Sequence, residues 1–145
     1  MIAVLQRVLE SKVVVDGKTI GAIDQGLMVL LGVEKNDDQV TADKLLQRIL
    51  KYRVFGDAEG KMNLSLQDVS GGLLLVPQFT LAADTHSGLR PSFSSAAPPK
   101  QGKELFGYFV EQARNQYDKV ECGQFGADMK VHLINDGPVT FYLKV

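Results

Sequence analysis

LLLVPQFTLAA, residues 73–83, is the stretch on which the fold turns. The four branched apolar residues Leu73 to Val76 read as a buried strand. Pro77 has no amide donor, so the strand ends, bulges or runs along an edge there. Gln78 and Thr80 follow, with Phe79 between them, and put polar groups where the apolar run stops. Continued as a strand, this segment would turn Gln78 and Thr80 to one face. Two readings stand for the pair. Thr80 fits a strand through its β-branching alone, and Gln78 can be satisfied by neighbouring backbone. Alternatively, an amide beside a core strand incurs a desolvation cost unless it meets a partner, and that partner is a ligand.

Upstream, Ile2 to Val8 alternates, with Ile2, Val4 and Val8 on one face and Ala3, Leu5 and Leu9 on the other. Both faces are apolar, so both should be covered. Lys12 to Val15 makes a further short strand, Asp16-Gly17 a hairpin turn, and Thr19 to Ile23 the return. Gly26 opens LMVLLGVE, apolar enough for a central strand. Asp37 or Asp38 can cap the next helix. Its Val40, Leu45, Leu46, Ile49 and Leu50 form a one-sided stripe that should lie on a sheet. Lys51 to Phe55 returns to extended chain, Gly56 to Gly60 turns, and Met62 to Leu66 is a short element of open type. Gly71-Gly72 then launches the central strand.

Downstream, residues 84–99 lack periodicity over a length unusual for a simple connection. They form either a functional loop or exposed filler. Within them Arg90-Pro91-Ser92-Phe93 mixes charge with an aromatic ring, as a packed loop does. Pro98 or Pro99 opens a second amphipathic helix through Leu105, Phe106, Phe109, Val110, Ala113 and Tyr117. Asp118 to Gly123 connects to two last strands, Gln124 to Ile134 and Val139 to Val145, separated by residues 135–138. Strands outnumber helices and the first two share a tight hairpin, which favours an α+β sheet over a regular βαβ series.

The 145 residues suit one domain, and 45% hydrophobic with 23% charged residues is a soluble balance. No apolar window is long enough to span a membrane, and the first residues read as a strand rather than a secretion signal. A cytoplasmic protein is expected. Cys122 is the single cysteine, and His86 and His132 lie far apart, so neither metal nor cofactor is expected. A formal charge of −1 gives no general grip on nucleic acid but leaves room for a local basic patch.

GxSxG, GxxxxGK[ST] and HExxH frames are absent. A hydroxyl or thiol nucleophile needs a positioned base, for which His86 in the loose loop is a candidate; His132, between Val131 and Leu133, points to packing or surface exposure. Gly137-Pro138 has sharper content. Proline fixes φ and lacks N–H, and glycine lacks a side chain. Such a pair either makes an ordinary hairpin turn or aims bare carbonyls at a bound molecule and discriminates its handedness.

PQFTL at 77–81 resembles the SQFTL motif of D-aminoacyl-tRNA deacylases, and NDGPVT at 135–140 matches that family's NxGPxT motif. MIAVLQRV, GLMVLLGVE, YRVFGDAEGKMNL, LAADTHSGLRPSF, FGADM and VTFYLKV resemble the family in order, so the likeness spans residues 1–145 as one deacylase domain. The resemblance implies an α+β fold of mixed, mostly antiparallel sheet closed barrel-like, with two amphipathic helices outside. It implies hydrolysis of the ester between a D-amino acid and the terminal adenosine of tRNA, with glycyl-tRNA accepted and L-aminoacyl-tRNA refused. It further implies a homodimer in which a cis Gly137-Pro138 enters the partner's cleft, held by Arg7. Gln78, Phe79 and Thr80 would line the reaction centre, with Phe125 and Met129 near the adenosine. Assistance from the ribose 2′-OH is favoured over a Thr80 nucleophile, because the motif supplies no base. The family usually carries Ser where this chain has Pro77, which removes a hydroxyl and an amide donor.

Overall fold

The structure is a computed structural model and describes residues 1–145. In chain order it contains β1 (Ile2–Val15), β2 (Lys18–Ile23), β3 (Gly26–Gly32), α1 (Gln39–Lys51), β4 (Phe55–Gly56) and β5 (Met62–Leu64). These are followed by α2 (Leu66–Val69), β6 (Gly72–Pro77), a 3-10 turn (Phe79–Ala82), α3 (Pro99–Gln116), β7 (Val120–Cys122) and β8 (Lys130–Lys144).

The other strands are arranged about β1. Its first half pairs antiparallel with β3, its second half with β2, and β8 runs antiparallel along nearly its whole length. Strand β6 is parallel to β3, and β7 is parallel to β6. Asp16 and Gly17, both at positive φ, make the expected hairpin. Strand β2 curls back over the sheet until Gly21 lies against the Cys122 carbonyl, so the mixed sheet nearly closes as a barrel.

Strict alternation fills both sides of the sheet. Ala3, Leu5, Leu27, Val29, Leu31, Leu73 and Leu75 face α1 and α3 in the main core. Met28, Leu74 and Val76 face the barrel interior with Val8, Val13 and Ile23. Helices α1 and α3 lie side by side outside, tied by the Tyr108 hydroxyl donating to Asp43 at 2.9 Å. Asp38 caps α1 by accepting the Thr41 N–H at 2.9 Å.

Several expectations change in three dimensions. β1 is one continuous strand, not two, and irregular pairing with β8 around Val8 turns Leu9 out to 52% exposure. Val40 stands on the outer side of α1's first turn, 59% exposed, while Ala42 takes the buried position. Lys51 remains helical, and Tyr117 is the C-cap of α3 rather than part of it. Residues 124–129 are a loop, and β8 continues unbroken through 135–138 where two strands were expected. Strand β7 falls in the supposed connection, and a third helix, α2, is closed by the Ser65–Asp68 capping box.

Candidate active site

Strand β6 ends at Pro77, where no ladder donor is required. The Gln78 N–H donates to the Leu31 carbonyl at 2.7 Å, and the chain then winds into the 3-10 turn. Gln78 and Thr80 therefore do not share a strand face. They meet through side chains instead, Gln78 Nε2 donating to Thr80 Oγ1. The turn's first internal bond runs from Leu81 N–H to the Gln78 carbonyl. The Phe79 and Thr80 amides precede it and have no partner within the turn. Thr80 is exposed, and its one side-chain partner is an amide, which cannot take a proton.

Beside this turn lies an apolar cavity of about 260 Å³, lined by Leu31, Val33, Pro77, Gln78, Phe79, Ala97, Pro99, Gly102, Phe106, Phe125 and Gly126. Phe79 is 61% exposed and packs against Phe93, with ring centroids 5.4 Å apart and planes tilted by 41°. Gly102 leaves the space that Phe125 uses: a Cβ there would sit 3.2 Å from the Phe125 ring. Met129 does not line the cavity. It packs against the barrel interior, close under Gly123, and its sulfur accepts the Gln124 N–H at 3.4 Å. A wider groove of about 660 Å³ between β1, β2 and β8 contains His132 but none of the expected site residues.

The second element is the bend in β8. Gly137-Pro138 is a cis peptide, and both residues are exposed. Arg7, half-buried on β1, donates from Nε to the Asp136 carbonyl at 3.2 Å and from Nη1 to the Val54 carbonyl at 2.8 Å. Its Nε also lies 3.5 Å from Asp136 Oδ2. Gly137 has φ +129°, and a Cβ there would meet Val139 Cγ2 at 2.7 Å and Arg7 Nη2 at 3.1 Å. Only glycine fits. Asn135 closes the bend: its Oδ1 accepts the Val139 N–H and its Nδ2 donates to Thr140 Oγ1, both at 2.9 Å. Asn135 and Thr140 are the outer letters of NDGPVT, so the motif itself was the signal for them.

Within one chain these two elements stay apart. The bend lies beside Gln6 to Val8, whereas Gln78 is bonded to Leu31, which pairs with Ala3. From Ala3 to Arg7 is four residues of strand, about 13 Å. His86 makes no hydrogen bond to Thr80. Fully exposed, it holds Asp84 Oδ1 through Nδ1 at 2.8 Å, and its backbone N–H and ring keep the Asp84 carboxyl below the usual range.

The sequence profile described as D-Tyr-tRNA(Tyr) deacylase matches residues 4–144. A protein named D-aminoacyl-tRNA deacylase from Stutzerimonas stutzeri (strain A1501) is 64% identical over 144 residues, 99% of each chain. One of the same name from Janthinobacterium sp. (strain Marseille) is 63% identical, covering 100% of this chain and 97% of its own. A solved structure described as c-Myc DNA Unwinding Element Binding Protein superposes with a TM-score of 0.96 at 40% identity, covering 100% of this chain and 99% of that one. A probable eukaryotic D-amino acid tRNA deacylase, at TM-score 0.77 and 19% identity, shares the fold over 99% of this chain and 98% of its own. A barrel-like sheet with a polar turn at a strand end and a backbone bend thus defines an enzyme of the deacylase class, a hydrolase. The chain belongs to the D-Tyr-tRNA(Tyr) deacylase family.

Proposed function

We propose that this chain, acting as one domain and as a cytoplasmic homodimer without a cofactor, hydrolyses the ester linking a D-amino acid to the terminal adenosine of tRNA. Glycyl-tRNA is a substrate because it has no side chain on the α-carbon; L-aminoacyl-tRNA is refused. One observation carries this reading. The bend at Gly137-Pro138 is bare backbone held by Arg7 and Asn135, yet it stands about 13 Å along the sheet from its own chain's Gln78–Thr80 turn. A second copy supplies the missing half. Its Gly137 and Pro138 carbonyls receive the substrate's amino group, and an L side chain collides with the bend.

The chemistry asks little of side chains. The terminal adenine enters the aromatic cavity against Phe79 and Phe125. Met129 supports the loop that carries Phe125. The scissile carbonyl lies over the start of the 3-10 turn, where the Phe79 and Thr80 amides donate to the developing oxyanion. Gln78's amide is committed to Leu31 and contributes through its side chain. The ribose 2′-OH assists water in adding to the carbonyl. The ester C–O bond then breaks, releasing amino acid and tRNA. Pro77 is tolerated because β6 ends there and no bond calls on its amide. Holding carbonyl and ribose in register supplies most of the rate.

Matched D- and L-aminoacyl-tRNA hydrolysis tests the reading. Release confined to D-amino acids and glycine is expected. Equal release from both hands, or binding without release, overturns it.

A further inference from the structure

We propose that four unpaired cations around the mouth of the aromatic cavity, Lys35, Arg90, Lys100 and Lys103, hold the phosphates of the single-stranded RNA end whose terminal nucleoside occupies that cavity. This rests on the deacylase reading above and adds the surface that grips the nucleic acid.

Their placement follows from elements already described. Lys103 is four residues after Pro99 and three before Phe106, both of which line the cavity, so it rises from the same side of α3. Lys100 follows Pro99 in the first turn. Lys35 is tied to this region by its backbone, its N–H donating to the Ser95 carbonyl at 3.2 Å and its own carbonyl accepting Gln101 Nε2 at 3.0 Å. Arg90 sits in the loop closed by the Asp84–Ser92 bridge, and the next aromatic along the chain, Phe93, packs against Phe79.

All four are exposed, and none takes part in an ion pair. Most neighbouring carboxylates are spoken for. Glu34 and Asp37 hold the Met1 ammonium, Glu34 also holds Lys144, and Asp128 holds Lys130, whereas Asp84 bonds the His86 ring and keeps its negative charge. Glu104 makes no ion pair, but it lies one turn from Lys100 on α3, about 40° around the helix, and offsets part of that charge. A chain of net charge −1 thus keeps a local positive surplus around the mouth of this aromatic cavity, the four cations standing against Asp84 and Glu104. Aromatic stacking for a base beside free cations for the backbone is the arrangement that binds single-stranded nucleic acid.

The test uses the full chain carrying K35A, K100A and K103A together, all exposed positions outside the core. Each neutralised single-strand phosphate contributes about −0.7 to the slope of log K against log salt, so for uncharged tRNA the slope should become shallower by about 2. At physiological salt, kcat/KM for D-aminoacyl-tRNA should fall about tenfold or more, through KM. Hydrolysis of D-aminoacyl-adenosine, which carries the same ester and nucleoside without phosphates, should be unchanged. Lysine-to-arginine replacements at the same sites should restore tRNA binding. The charge-matched variant K12A/K44A/K51A, which does not border the cavity, should leave the slope alone. An unchanged slope, equal losses on both substrates, or an equal effect of the control variant overturns the collar. If the wild-type chain cleaves neither ester, the deacylase reading fails, and the salt slope still decides whether the collar binds RNA.

Discussion

Asn135 donates its side-chain amide to Thr140 Oγ1 across the Gly137-Pro138 bend while accepting the Val139 N–H, both at 2.9 Å. One side chain therefore replaces ladder bonds that the bend cannot make, since Pro138 has no donor and the pairing of β1 with β8 skips from Gln6 to Val8. That is why a strand runs through a segment whose sequence reads as a turn.

Asn135→Ala should leave the Val139 amide without its partner in a buried residue, costing about 1–3 kcal/mol of stability. The bend should loosen as well. Urea denaturation gives the first effect. The second appears as a fall in the D-to-L hydrolysis ratio larger than the fall in D-substrate kcat; an unchanged ratio would deny the bend its part in rejecting L substrates.

Thr80→Ala should retain substantial turnover, and His86→Ala nearly all of it. Thr80's hydroxyl is bonded only to Gln78, and His86 is engaged with Asp84 at the loop tip. Single-turnover rates on a D-aminoacyl-tRNA check both. Loss of more than about a thousandfold in Thr80→Ala would instead mark a covalent nucleophile.

Gly26→Ala should prevent folding. A Cβ on Gly26 would lie 1.9 Å from the Gly72 carbonyl oxygen, backbone against backbone at the start of the β3–β6 pair. Gly107→Ala, with open space around the Cβ and a helical setting, should be neutral to stabilising by about 1 kcal/mol. Thermal melts of the two variants make the comparison.

The pH dependence of stability has a defined window. Burial pushes the Glu34 carboxyl up, but bonds from Lys144 and the Met1 ammonium outweigh it and leave the group below its ordinary 4.5. Its contribution is complete above about pH 4.5 and is lost as pH falls through the depressed value. The bond to Glu34 holds Lys144 above its ordinary 10.5, so that contribution is complete below about 10.5 and is lost as pH rises through the raised value. In Glu34→Gln, unfolding free energies measured from pH 3 to 11 should be lower on the plateau and flatter at both ends.

Legibility in the sequence tracked the range of the interactions. β3 and β6 declare themselves as short continuous apolar runs, and α1 and α3 through a 3.6 periodicity, all of which are local signals. Leu9 misleads because its face is reversed by irregular pairing with a strand more than a hundred residues away. Gln78 and Thr80 read as strand because nothing nearby reveals that the Gln78 amide is taken by Leu31. β7 is three residues long, too short for a period, whereas α2 carried a readable Ser65–Asp68 box. Both motifs of the site were visible as residues. Their separation was not, since it depends on the registers of β1 with β3 and with β8.

β8 gives one edge to β1 and leaves the other open. An open edge is a template for another chain, and here it belongs to the very strand that carries the bend. On the proposed reading, association and stereochemical judgement become a single physical event. A dissociated protomer would retain its strand-end turn and aromatic cavity yet have no gauge against which to measure a substrate's hand, so dilution would make it careless before it made it idle.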